Sequence, residues 1–269
     1  MTLLQAFLLG ILQGLTEFIP VSSTAHLLIG QRLLGLPADD AMFSFLVIVQ
    51  LGTLVSLFAF YWKDLLAIAK ATLDFRHSTP ERNLGFYIMI ATVPALLAGY
   101  LLKDAVEALF KQPMLEASIR LFTAAVLLAL AEWLTKKNRT LASMTWLDAL
   151  FIGVMQILAV FPGASRSGTT ISGGMFRGFD RPSAARFAFL MSAPVMLAAG
   201  GYEMLDVLVM PNLSSFLPLL AVGFVTAAVA GWFAIKWLIA YLSRRSLYVF
   251  AAYCAALAIV TLLLHLAWR

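Results

Sequence analysis

Residues 2–34 read TLLQAFLLGILQGLTEFIPVSSTAHLLIGQRLL, and the polar break inside this apolar run decides the fold. The stretch is greasy enough for a membrane on either side of Gln13, Glu17 and Pro20, which interrupt it. At about 1.5 Å of rise per residue, neither half crosses a hydrocarbon core of about 30 Å. It therefore reads as helix, turn, helix: a hairpin that dips into the membrane and returns. Irregular backbone at such depth must be buried in protein or line a wet cavity.

A second broken run occupies residues 146–176, interrupted by Gln156, Pro162 and Arg166. Gly10, Gln13 and Phe18 recur 143 residues on as Gly153, Gln156 and Phe161, each set followed by a proline and serines. Further on, Phe43-Ser-Phe-Leu46 recurs as Phe187-Ala-Phe-Leu190. Residues 1–135 and 146–269 thus read as two repeats within one membrane domain, 1–269, each with one hairpin (2–34 or 146–176) and three spans. An odd number of spans turns the second copy upside down. The two hairpin tips then meet near the midplane, where inverted-repeat proteins place their sites.

The spans are the apolar runs at 41–62, 84–102, 117–135, 183–202, 215–242 and 247–268. With 62% hydrophobic and 12% charged residues in a chain of 269, a water-soluble fold is excluded. The expected class is all-α: a polytopic membrane protein with six transmembrane helices plus two re-entrant helical hairpins in an inverted repeat. The N-terminus lacks a basic leader and a small-residue cleavage site, so it reads as hairpin rather than signal peptide. Lys and Arg gather after the first span (Lys63, Lys70, Arg76 and Arg82), after the third and fifth and before the fourth, which places those loops in the cytoplasm. The net charge of +5 is explained by these loops, and no nucleic-acid partner is expected. Cys254, the sole cysteine, excludes an intramolecular disulfide and a cysteine metal cluster.

The chemistry concentrates in the two breaks. Gln13 and Glu17 are four apart, on one helix face. A carboxylate at membrane depth is costly unless paired, which makes it a functional candidate. His26 suits proton transfer or attack on phosphorus near neutral pH. Ser22, Ser23 and Thr24 are good helix caps, and hydroxyls and N–H groups at a helix start bind anions. In the second break, Pro162-Gly-Ala-Ser165-Arg166-Ser167-Gly-Thr-Thr170 offers glycines for close approach, hydroxyls, and one guanidinium whose planar fork matches phosphate. Each has a blander reading. Ser and Thr in membrane helices commonly back-bond to their own helix. Glu17 and Arg166 can form a structural ion pair, and Arg120, Glu132, Asp148 and Lys103 sit near span ends where snorkelling is the default.

Taken together, Gln13-Gly-Leu-Thr-Glu17-Phe-Ile-Pro-Val-Ser-Ser-Thr-Ala-His26 and Pro162-Gly-Ala-Ser-Arg-Ser-Gly-Thr-Thr170 closely resemble the undecaprenyl-diphosphate phosphatase family linked to bacitracin resistance. The resemblance covers essentially the whole chain. It implies hydrolysis of the C55 polyprenyl diphosphate to the monophosphate carrier of peptidoglycan synthesis, in the bacterial plasma membrane, with the site open to the extracytoplasmic side. Polyprenyl diphosphate and bilayer lipids are the expected partners, and a homodimer is compatible with this reading. Carried onto this sequence, the family's motif residues fall on Gln13, Glu17, His26 and Arg166 and its hydroxyls on Ser23, Ser165 and Thr170. Joined to the reading of the residues above, the expected catalytic residues are Glu17, His26 and Ser23, and the expected substrate-binding residues are Arg166, Ser165, Ser167, Thr170, Ser22 and Thr24. Gln13 and Glu17 are the protein ligands for a divalent cation, Mg2+ or Ca2+. Gln13 is the neutral form of the family's first motif position, so a diphosphate can bring the ion with it. Ser23, His26 and water all remain open as nucleophile. The rival is a polyprenyl-phosphate flippase or phosphate-headgroup transporter, since broken helices in inverted repeats are transporter features.

Overall fold

The computed structural model describes residues 1–37, 39–74, 76–102, 113–160, 164–208 and 213–267. Phe161, Pro162 and Gly163 of the second break, and Lys103, lie outside the described residues. Ten α-helices run through the described residues: α1 Leu3–Phe18, α2 Ser23–Leu33, α3 Asp40–Leu73, α4 Pro80–Leu101, α5 Pro113–Leu134, α6 Trp146–Ile157, α7 Arg166–Phe176, α8 Arg181–Leu208, α9 Leu213–Leu242 and α10 Tyr248–Ala267. Six of them, α3, α4, α5, α8, α9 and α10, are long and apolar enough to cross a membrane. The protein is therefore a multi-pass, all-α membrane protein. Many large apolar side chains on the span surfaces, such as Leu97, Val225, Phe233 and Ile259, are exposed, as expected where the solvent is lipid.

The four short helices are the two hairpins. The Thr2 side chain caps α1 in a reciprocal box with Gln5, and Thr145 with Asp148 does the same for α6. Pro20 stops α1, and the chain reverses within Ile19–Ser22. Ser22 there holds φ +67°, a left-handed conformation rare for a residue with a side chain. α2 and α7 are each 11 residues, about 17 Å of helix and roughly half a hydrocarbon core.

The hairpins are embedded rather than peripheral. α1 packs along α9 and α6 along α4; α3 packs on α9 and α8 on α4; α5 lies against α10, and α3 against α8. Small residues allow the closest crossings. A Cβ on Gly14 would stand 2.6 Å from the Ala227 carbonyl oxygen on α9, and one on Gly153 would stand 2.5 Å from the Ala91 carbonyl oxygen on α4. Phe18, at the end of α1, is buried edge-on against Phe189 of α8, in a core shared with Leu57, Leu121, Ile171 and Phe187.

Two expectations are corrected. α3 continues well past the end of its apolar run, through a bend at Tyr61 to Leu73, so Lys63 and Lys70 lie on a helical extension rather than in a loop. The carboxylates and arginine assigned to snorkelling are buried instead. Asp148 accepts from Arg139, Arg177 and Thr145. Glu132 accepts from Arg181, from Lys137 at 3.1 Å and from the Leu247 N–H. Arg120 pairs with Glu116 one turn earlier at 2.8 Å. The first two clusters tie the Lys- and Arg-rich ends of α5, α6, α7, α8 and α10 together, opposite to the solvated spread that snorkelling would give.

Candidate active site

The two hairpin tips meet through Glu17. Its Oε1 accepts from Arg166 Nη2, and its Oε2 accepts from Gln13 Nε2 at 2.8 Å and from Ser23 Oγ at 2.7 Å. Each donor arrives for a local reason. Gln13 precedes Glu17 by one helical turn on α1. Ser23 is the first residue of α2, delivered by the tight reversal at Ser22. Arg166 is the first residue of α7, capped by the Ser165 side chain, which accepts from the Gly168 N–H at 3.2 Å. Glu17 is 7% exposed, so its carboxyl oxygens are satisfied by these donors rather than by water.

The remaining residues fall into separate roles. Ser167 Oγ donates across the tips to the Ile19 carbonyl at 3.3 Å and lies 3.3 Å from Ser165 Oγ. Thr170 back-bonds to the Arg166 carbonyl at 2.8 Å, as does Thr169 at 2.9 Å. Ser22 caps its own helix at Ala25, and Thr24 is exposed. His26 is buried but makes no hydrogen bond to Glu17, Ser23 or Arg166. Its Nδ1 lies 2.8 Å from the Ser22 carbonyl and its Nε2 lies 2.7 Å from the Tyr253 hydroxyl on α10.

Sequence reasoning missed Tyr253, because a tyrosine in an apolar span carries no signal of its own. It also missed that Arg120 reaches the second tip, where Nη1 approaches the Ala164 carbonyl at 3.4 Å. The depth of Arg120 was the available signal: a guanidinium three residues inside the apolar run at 117–135.

The donor set also bears on a cation. Gln13 Oε1 is buried and has no hydrogen-bond partner among the described residues. It sits beside one carboxylate, and no group of three His, Cys, Asp or Glu side chains converges among the described residues. Such a set fits an ion that arrives on a diphosphate and takes most of its oxygens from it.

What this geometry can do is specific. It holds a serine hydroxyl on a carboxylate, the nucleophile-and-base arrangement of covalent catalysis. Beside it stand a guanidinium and the start of α7, whose first N–H groups have no intrahelical acceptor by position. That combination suits transfer of a phosphoryl group.

Comparison with known proteins gives the same direction. The family model described as bacitracin resistance protein BacA matches residues 6–260. An undecaprenyl-diphosphatase of Anaeromyxobacter dehalogenans is 44% identical over 275 residues, covering 98% of this chain and 92% of the relative. One from Rubrobacter xylanophilus is 43% identical, covering 95% and 96%, and one from Mycobacterium marinum is 38% identical, covering 97% and 93%. With its two hairpin motifs joined at Glu17 and Arg166 and its length matched almost throughout, the chain belongs to the BacA family.

Proposed function

We propose that this protein hydrolyses undecaprenyl diphosphate to undecaprenyl phosphate and inorganic phosphate, recycling the lipid carrier of peptidoglycan synthesis and so conferring resistance to bacitracin. It would act in the bacterial plasma membrane, with the site open to the extracytoplasmic side. The repeats 1–135 and 146–269 form its two inverted halves; the matched packing of α1 on α9 and α6 on α4 supports that division.

One observation carries the reaction: Ser23 Oγ donates to Glu17 Oε2 while Arg166 holds the other carboxylate oxygen. An incoming diphosphate competes for the Arg166 fork and for the N–H groups at the start of α7. Ser23 Oγ then attacks the terminal phosphorus. The Oγ–P bond forms, the bond from phosphorus to the bridging oxygen breaks, the hydroxyl proton passes to Glu17, and the lipid monophosphate leaves. Water next attacks the phosphoserine. The Oγ–P bond breaks, Glu17 returns its proton to Ser23, and both water hydrogens leave on dihydrogen phosphate. Ser23 is favoured over His26 as nucleophile because both His26 ring nitrogens are already engaged by protein groups. A divalent cation, held by Gln13 Oε1, Glu17 and phosphate oxygens, would neutralise charge on the diphosphate.

The test is phosphate release by the purified protein in detergent, using polyprenyl diphosphates of different length, with metal chelated or restored. Release that is lost in Ser23→Ala supports the reading. No release from any of them transfers the site to headgroup binding and transport.

A further inference from the structure

We infer that Tyr253, on α10, is a positioning residue for the hydrolysis, acting on the nucleophile's turn through His26. The inference rests on the phosphatase reading of the site. Its basis is a directed chain of hydrogen bonds. The Ser22 carbonyl can only accept, so the His26 Nδ1 that lies 2.8 Å away donates and carries the proton. In the neutral ring Nε2 is then the acceptor, and the Tyr253 hydroxyl at 2.7 Å donates to it. The two rings are nearly parallel, 11° apart. The Ser22 carbonyl thus sets the tautomer of His26 and Tyr253 holds the ring in its orientation, and His26 in turn grips the carbonyl of Ser22.

That carbonyl belongs to the residue with φ +67°, immediately before Ser23. A strained turn persists only where its surroundings over-determine it, and here a ring from the far end of the chain supplies one of the restraints. The next residue on α10 supplies a second contact, because Cys254 Sγ lies 3.9 Å from the Pro20 carbonyl of the same turn. The other hairpin is held in a parallel way by α5, through Arg120 and the Ala164 carbonyl. Each hairpin tip is therefore braced by the last span of the other half.

Ionisable groups on the surrounding elements are already committed. Glu17 on α1 and Arg166 on α7 are paired, Glu116 and Arg120 on α5 are paired, and Cys254 faces Pro20.

The test is a double-mutant cycle on the full-length protein in detergent, with Tyr253→Phe and His26→Ala, alone and together. Tyr253→Phe keeps the ring and deletes the donor. Its kcat should fall about tenfold with KM within about twofold, the loss expected for one part-buried hydrogen bond. The acid limb of its kcat profile should move to higher pH, because the neutral imidazole has lost the donor that favoured it. In the His26→Ala protein the same change should have no further effect on kcat. Replacing Tyr253 by 3-fluorotyrosine, a stronger donor of the same shape, should move the acid limb the opposite way and covers the case in which Tyr253→Phe misfolds. Wild-type kcat and acid limb in Tyr253→Phe, an unmoved limb with fluorotyrosine, or losses that multiply across the cycle would overturn the inference. Wild-type turnover in His26→Ala would instead overturn the role of His26 beneath it, and turnover in Ser23→Ala would overturn the site as a whole.

Discussion

Glu17 and Arg166, 149 residues apart in the chain, form an ion pair that joins the tips of two hairpins. Glu17 lies in the last turn of α1 and Arg166 begins α7, so the bond ties the end of one hairpin's first helix to the start of the other's second. Breaking a buried pair leaves an uncompensated charge, which costs more than the pair contributes when intact. The two tips are thus held together by a pair that neither side can lose without cost.

Glu17→Gln preserves shape and removes the proton acceptor for Ser23. The expected loss in kcat is about 10²- to 10⁴-fold, the range for general-base catalysis, with the protein still monodisperse in detergent. Phosphate release within tenfold of wild type would remove Glu17 from the base role.

Arg166→Lys keeps the charge but loses the planar fork. A charge-assisted hydrogen bond is worth about 1.5–3 kcal/mol, so kcat/KM should fall about 10- to 100-fold, with most of the loss in KM. Arg166→Ala should fall further, because it also strands Glu17. Steady-state kinetics on a short-chain polyprenyl diphosphate separate the two. Equal kinetics for wild type and Arg166→Lys would show that the fork is not used.

Why these two residues were legible in the sequence, and others were not, follows from what a sequence encodes. Glu17 and Arg166 stand out because a charge in the middle of an apolar run has few physical reasons to be there. The hairpins were legible for the same reason: polar breaks and Pro20 fall where a span would need continuity. Tyr253 was not, because its hydroxyl matters only through a partner 227 residues away. Asp148 and Glu132 were misread because a sequence gives their nearness to a span end but not the direction in which they point. Lys63 and Lys70 look like loop residues in a hydropathy reading, whereas helix formation does not stop where hydrophobicity does.

Asp148 shows what that misreading conceals. It is fully buried and accepts from two arginines and Thr145. Asp148→Asn should destabilise by about 2 kcal/mol, less than a fully buried pair, because the Arg177 side chain is 37% exposed. The expected readout is a lower midpoint of thermal unfolding in detergent with turnover at low temperature within about twofold. Loss of turnover at an unchanged midpoint would couple this cluster directly to the site.

Gly14 and Gly99 form a controlled comparison. A Cβ on Gly14 meets the Ala227 carbonyl oxygen and Ala230 Cβ at 2.6 Å, and neither is the end of a flexible side chain. Gly14→Ala should therefore push α1 from α9, cost about 1–3 kcal/mol, and lower turnover by displacing Gln13 and Glu17. A Cβ on Gly99 meets nothing within 4 Å, so Gly99→Ala should be neutral or slightly stabilising through helix propensity alone. Unfolding midpoints and kcat of both variants check this, and equal behaviour would mean that the α1–α9 crossing has room to adjust.

Gln13 and Gln156 occupy equivalent places in the two half-helices, yet their surroundings differ. Gln13 Nε2 donates to Glu17 at 2.8 Å, whereas neither amide atom of Gln156 has a partner among the described residues. A buried amide without partners costs free energy, and an apolar side chain of similar length removes that cost. Gln156→Met should therefore raise the unfolding midpoint by the equivalent of about 1–2 kcal/mol and leave turnover within about twofold. Gln13→Met should lower turnover, because Glu17 loses a donor and the site loses the free Oε1. Gln13→Glu should act differently again: a second carboxylate one turn from Glu17 offers an ion two anionic ligands, so activity should become more sensitive to chelation and recover with added Mg2+. Titrating cation against phosphate release for wild type and Gln13→Glu measures this. An unchanged cation requirement in Gln13→Glu would mean that any ion in the reaction is held by the diphosphate alone.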